Sequence, residues 1–85
     1  MAKVTLLTAK WCVKCPAAKS LWRELQKDYK FEYKEVDVAS EEGKKLMERF
    51  DILSVPTTII NNRVVFVDIP DRDKAINAIK KVEEK

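Results

Sequence analysis

Apolar and polar positions change their period several times along the chain, and each change marks an element. Lys3 to Thr8 is a short apolar-rich run of strand length, read as a buried strand. Ala18, Leu21, Trp22, Leu25 and Tyr29 then recur three and four residues apart, so Val13 to about Tyr29 is predicted to be a helix. Phe31 to Val38 reads as a second strand. Its apolar phase shifts between Tyr33 and Val36, which suits a strand covered on both faces.

Ser40 is a candidate helix cap, with Glu41 and Glu42 well placed in the first turn. Leu46, Met47 and Phe50 line this second helix, and Asp51 can take the left-handed conformation that ends it. Met47 is read as a core residue. Thr57 to Ile60 and Val64 to Ile69 form two strands around Asn61-Asn62, both of which tolerate the positive φ of a tight hairpin turn. Asp71 caps a last helix with Ile76, Ile79 and Val82 as its apolar stripe. The order is strand, helix, strand, helix, strand, strand, helix. The first two strands should be parallel with a right-handed crossover, and the last two an antiparallel hairpin. The expected class is α/β, one sheet with helices on both faces.

Composition narrows the picture. A length of 85 residues fits one domain over 1–85, with a modest core, and a monomer is expected. Apolar residues at 46% are too many for a disordered chain. The net charge of +3 is mild, and no lysine or arginine block or aromatic-basic patch is present, so nucleic acid is not an expected partner. No stretch approaches the roughly 20 apolar residues of a membrane span, so no membrane partner is expected. Val4 to Ala9 is too short for a signal-peptide core, and a cytoplasmic, reducing location follows as the expectation. Charged residues at 36% and a single glycine would suit a heat-tolerant protein.

The candidate chemistry lies in Cys12-Val13-Lys14-Cys15, which holds the chain's only two cysteines. In a reducing compartment such a pair is more often catalytic than structural. The motif falls where the first helix is expected to begin. Helix-start N–H groups lack internal partners and carry partial positive charge, which stabilises a thiolate. Cys12, at or next to the N-cap, is therefore expected to be the more acidic thiol, with Lys10 and Lys14 as weaker tuning charges. Cys15, about one turn further in, is expected to be more buried and less acidic. This asymmetry assigns attack on a disulfide to Cys12 and resolution of the mixed disulfide to Cys15. Pro16 lacks an N–H and is tolerated in a first helical turn. It either marks the helix start or helps to fix the motif's shape.

Ser54-Val55-Pro56-Thr57 stands directly before the third strand. On the residues alone, Val55-Pro56 is either an ordinary trans bond opening a strand or a cis bond that sets the Val55 backbone beside Cys12. Trp11 adjoins Cys12 and is a candidate substrate contact, whereas Trp22 lies on the helix stripe and is read as core. A zinc site normally takes four ligands, and the chain has no histidine and no second cysteine pair, so no metal is expected. A two-thiolate Cu(I) carrier is the alternative from a different class, because soft thiolates suit that ion. The order of elements and the proximity of Pro56 argue against it. A purely structural disulfide across so short a ring would constrain the unfolded chain little.

Trp11-Cys12-Val13-Lys14-Cys15 resembles the Trp-Cys-x-x-Cys site of thioredoxins, and Asp51 to Thr57 resembles the segment before their cis-proline. The element order agrees over nearly the whole chain, and the length is similar to the compact glutaredoxin-like proteins of archaea and bacteria. The resemblance is thus to the thioredoxin/glutaredoxin superfamily. It implies a minimal thioredoxin fold, βαβαββα, with a four-stranded mixed sheet and three flanking helices. It also implies dithiol–disulfide oxidoreductase activity with Cys12 as nucleophile, Cys15 as resolving cysteine, Pro56 cis, and Trp11, Val55 and Pro56 at the substrate. No cofactor is implied; the partners are disulfide-containing proteins and a flavin-dependent thioredoxin reductase as electron donor.

The chain departs from both subfamilies. Leu6 stands where thioredoxins carry a buried aspartate, and Val13-Lys14 replaces their Gly-Pro. Ala9 stands where glutaredoxins carry a lysine, and Asp68-Ile69-Pro70 where they carry a glycine that lets a ligand approach the backbone. A thioredoxin-like role is therefore favoured, with a glutathione-dependent glutaredoxin as the alternative.

Overall fold

The computed structural model describes residues 2–83. The elements are β1 (Ala2–Thr8), α1 (Cys15–Asp28), β2 (Phe31–Asp37), α2 (Glu41–Arg49), β3 (Thr57–Ile60), β4 (Arg63–Val67) and α3 (Arg72–Glu83). The strands form one mixed sheet in the order β2-β1-β3-β4. β1 pairs parallel with β2 and antiparallel with β3, and β3 pairs antiparallel with β4. Three helices around a four-stranded mixed sheet is the minimal thioredoxin fold.

The alternation of side chains along β1 divides the interior into two layers. Ala2, Val4 and Leu6 face α1 and α3, where they meet Ala18, Trp22, Leu25, Ala75 and Ile79. Leu7 faces the other way, toward Val36, Ile52 and Ile59, with Leu46, Met47 and Phe50 packed over them. The phase shift in β2 has its reason here. Phe31 and Tyr33 pack with the α1 layer, whereas Val36 packs with the α2 layer.

Trp22 is the largest fully buried side chain. Its ring meets Phe31 edge-on at 6.0 Å between centroids and Phe66 at 6.3 Å. An indole N–H buried without a partner is costly, and here it donates to Thr58 Oγ1 at 3.1 Å.

Local chemistry fixes the connections. Ser40 caps α2 by accepting from the Gly43 N–H at 3.0 Å. Asp51 has φ 55° beyond the end of α2. Asn61 and Asn62 have φ 48° and 65°, the pair of positive values a two-residue hairpin needs. The hairpin is pinned to β1 as Asn61 Oδ1 accepts from the Lys3 N–H at 2.8 Å. Asp71 Oδ2 accepts from the Lys74 N–H at 3.3 Å and caps α3. Thr58 pairs with Phe66 and Ile59 with Val64, so Val65 is an extra residue bulging from β4.

Several boundaries shift by one residue from the sequence expectation, and two shift by two residues. α1 begins at Cys15 rather than Val13, with Lys14 as its N-cap in helical geometry and no side-chain cap bond. β4 ends at Val67 rather than Ile69, because Asp68 takes φ 80° and turns the chain out of the ladder.

Candidate active site

Register brings three distant segments to one end of the sheet. Thr57 lies opposite Leu7 on one side and opposite Val67 on the other. The motif that follows β1, the Val55-Pro56 bond that precedes β3 and Asp68 after β4 therefore converge. One backbone bond shapes the motif and another joins the two other segments. The Cys12 N–H donates to the Ala9 carbonyl at 3.2 Å, and the Asp68 N–H donates to the Pro56 carbonyl at 2.8 Å. The Val55-Pro56 peptide is cis. It sets the Val55 carbonyl 3.7 Å from Cys12 Sγ, within reach of an S–H donor. Pro56 is fully buried, and Val55 is half-buried against Ala9, Cys12 and Cys15.

Both thiols are free. Cys12 lies two residues ahead of the N-cap, not at it or next to it, so its anion-binding donors are specific N–H groups rather than a cap of its own. Burial pushes the Cys12 thiol up. Hydrogen bonds outweigh burial: the Cys15 side chain and the backbone N–H groups of Lys14 and Cys15 all favour the thiolate and bring Cys12 below an ordinary thiol. The charge of Asp68 acts in the opposite direction.

Cys15 stands as the first residue of α1 and is 1% exposed, against 9% for Cys12. Burial first, and then the hydrogen bond given to Cys12, push it up to about 11; a backbone hydrogen bond at Ala9 and the charge of Lys19 oppose the rise. One sulfur is thus prepared as an anion and the other is kept as its proton donor. Pro16 follows in the first helical turn, where a missing N–H leaves no bond unmade.

The remaining residues singled out in the sequence fall into two groups. Trp11 sits on the rim of the site, 76% exposed, and two further apolar side chains stand out beside the motif and the cis bond: Val13 at 91% and Leu53 at 90%. Lys10 is exposed and enters no ion pair among the described residues. Lys14 is engaged elsewhere, its Nζ lying 2.9 Å from Asp68 Oδ2. Leu53 and Asp68 were not singled out as contributors. The signal for Leu53 was an apolar residue in a loop before a proline. For Asp68 it was an aspartate ending a strand ahead of Ile-Pro. The position of Leu6 is filled by a fully buried apolar side chain, so no carboxylate lies beneath the thiols at that point.

Among the described residues no group of three or more cysteine, aspartate or glutamate side chains is placed to hold a metal ion, and no helix is long and apolar enough to cross a membrane. A closely spaced thiolate and thiol beside a cis-proline can exchange with a disulfide brought against the Val55 backbone.

Comparison with known proteins agrees with this geometry. A family model described as a thioredoxin domain matches residues 2–80. A thioredoxin of Methanocaldococcus jannaschii is 36% identical over 81 residues, covering 93% of each chain. A probable thioredoxin of Archaeoglobus fulgidus is 26% identical over 83 residues, covering 98% of this chain and 91% of its own. Among solved structures, thioredoxin-2 of the malaria parasite superposes with a TM-score of 0.79 at 28% identity, over 95% of this chain and 82% of its own. The chain is thus a small thioredoxin-like redox protein and belongs to the thioredoxin domain family.

Proposed function

We propose that the protein is a thiol–disulfide oxidoreductase that reduces protein disulfides through Cys12 and Cys15. The observation that carries this reading is geometric: two free thiols at and just ahead of the start of α1, the first with its sulfur 3.7 Å from the carbonyl of the cis Val55-Pro56 bond and the second fully buried. The opposed shifts in their acidity agree with it. The Cys12 thiolate attacks one sulfur of a substrate disulfide, forms a mixed disulfide and expels the first substrate thiolate, which takes a proton. Cys15 then loses its proton and attacks the Cys12 sulfur. The intramolecular disulfide forms, the second substrate thiol leaves, and the substrate has gained two electrons and two protons.

Val55 and Pro56 receive the substrate backbone, and Trp11 lies at the entrance. Exposed Val13, next to Cys12 in the motif, and exposed Leu53, in the segment before the cis bond, add apolar surface. The protein acts as a monomer of one domain in the cytoplasm, without a cofactor of its own. A flavin-dependent reductase of the thioredoxin reductase type returns it to the dithiol. Likeness to thioredoxins is what supports this donor as the first choice, with glutathione as the alternative.

Insulin reduction tests the reading. Turnover is expected with NADPH and thioredoxin reductase, and its loss in Cys12→Ser. Cys15→Ser should accumulate a mixed disulfide visible by intact mass. Fast turnover with glutathione alone would overturn the choice of donor, and turnover surviving Cys12→Ser would overturn the mechanism.

A further inference from the structure

Asp68 occupies a conformation that aspartate adopts only occasionally. Its φ is 80°, in the region that favours glycine, and an outlier of this kind points toward function when the surroundings hold it in place. Three contacts hold it. Its N–H donates to the Pro56 carbonyl at 2.8 Å, its Oδ1 accepts from the Ile69 N–H at 2.8 Å, and its Oδ2 lies 2.9 Å from Lys14 Nζ. Lys14 is 54 residues away in sequence and lies between the two cysteines. Its backbone N–H is one of the donors to the Cys12 sulfur. The carboxylate thus grips, by its side chain, the residue whose main chain holds the reactive sulfur.

We propose that Asp68 is a positioning residue for the dithiol: it clamps Lys14, occupies the only cation within the motif, and sets the charge at the rim of Cys12. The inference rests on the assignment of Cys12 as the attacking thiol.

Two effects follow from the pair. The ammonium of Lys14 is directed to a carboxylate instead of standing free as a counter-charge for the sulfur. The carboxylate is in turn neutralised by that ammonium, which limits its repulsion of the thiolate. Removing either partner alone therefore unbalances the rim, in opposite directions. The other groups facing Cys12 are unchanged by either substitution. They are the Cys15 thiol, the N–H groups of Lys14 and Cys15, and, from the cis-proline segment, the uncharged Val55 carbonyl.

The test is the rate of Cys12 alkylation by iodoacetamide, followed by mass spectrometry across pH at low ionic strength. Asp68→Asn keeps a side-chain acceptor and a residue type that tolerates positive φ. It should speed alkylation on the acid side of the profile by roughly two- to threefold, the size expected for loss of one solvent-exposed charge. Lys14→Met leaves the carboxylate unpaired and should slow alkylation by a similar factor. In the Asp68→Asn background the freed ammonium stands as a counter-charge for the sulfur, so Lys14→Met should slow alkylation there by more than it does in wild type. Asp68→Gly relieves the backbone and supplies a second variant should Asp68→Asn fold poorly.

An unchanged pH profile in the Asp68 variants overturns the proposal, as does an equal slowing by Lys14→Met in both backgrounds. A purely structural clamp would lower the melting temperature without moving the profile, which also overturns it. If wild-type Cys12 reacts no faster than Cys15, the functional assignment itself fails, and that result is distinguishable from the others.

Discussion

The Cys15 thiol donates a hydrogen bond to the Cys12 sulfur, and this bond moves the two groups in opposite directions. It stabilises the anion at Cys12 and retains the proton on Cys15. In this chain the asymmetry is built without a buried carboxylate at position 6, where fully buried Leu6 stands. Backbone N–H groups and the partner thiol do the work instead.

Replacing Cys15 by alanine should therefore raise the midpoint of Cys12 alkylation toward the ordinary thiol value of 9.0. The stability of the reduced protein should follow the same logic. The folded-state pKa of Cys12 is lowered, so its contribution is present above pH 9.0 and is lost as pH falls through the folded midpoint. That of Cys15 is raised, so its contribution is full below pH 9.0 and is lost as pH rises to about 11. Denaturant melts of reduced wild type and Cys15→Ala between these values measure the second effect, which should be absent from the variant. A Cys12 midpoint that does not move in Cys15→Ala would contradict the shared hydrogen bond.

The Trp22–Thr58 hydrogen bond gives a second prediction. Thr58→Val preserves shape but leaves a buried indole N–H without a partner, at a cost of about 1–3 kcal/mol. Trp22→Phe removes the donor together with core volume. Combining the two should cost less than the sum of the single changes, because the orphaned donor is then gone. Chemical denaturation of the four proteins reads the coupling, and strict additivity would show that the bond contributes nothing.

At Gly43 two principles give opposite signs. In an isolated helix alanine is favoured over glycine by about 1 kcal/mol. In the folded protein a Cβ at Gly43 would overlap the Asp37 carbonyl oxygen and lie 2.7 Å from Val38 Cα. Both obstacles are backbone, so neither swings away, and Gly43→Ala should lose about 1–3 kcal/mol net. For a chain of this size that is roughly 4–8 °C of melting temperature per kcal/mol. A melting temperature at or above wild type would show that α2 can lift from the end of β2.

Much of the architecture was legible because it rests on period and local capping. Ser40, Asp51, Asn61, Asn62 and Asp71 each announce their turn or cap by residue type, and each takes that part. The apolar stripe of α1 located Trp22 in the core. The start of α1 was misplaced because nothing local distinguishes Val13-Lys14 as a turn rather than a first helical turn. The N-cap residue, Lys14, is itself in helical geometry and offers no side-chain cap. The bend at Asp68 was missed for a different reason. Its φ of 80° is held by Pro56 and Lys14, both remote in sequence, and strand propensity carried the apparent run on to Ile69. The acidity of Cys12 was expected from a helix tip, whereas its donors are the individual N–H groups of Lys14 and Cys15.

Thr57, facing Leu7 on one side and Val67 on the other, is the crossing point through which the reactive thiol meets its surroundings. Until β3 has zipped onto β1 and β4 onto β3, neither the Val55 carbonyl nor the Asp68 carboxylate is near Cys12. A chain with an unfinished sheet can already hold the local donors of Cys12, but the face that meets a substrate is incomplete until the last hairpin closes.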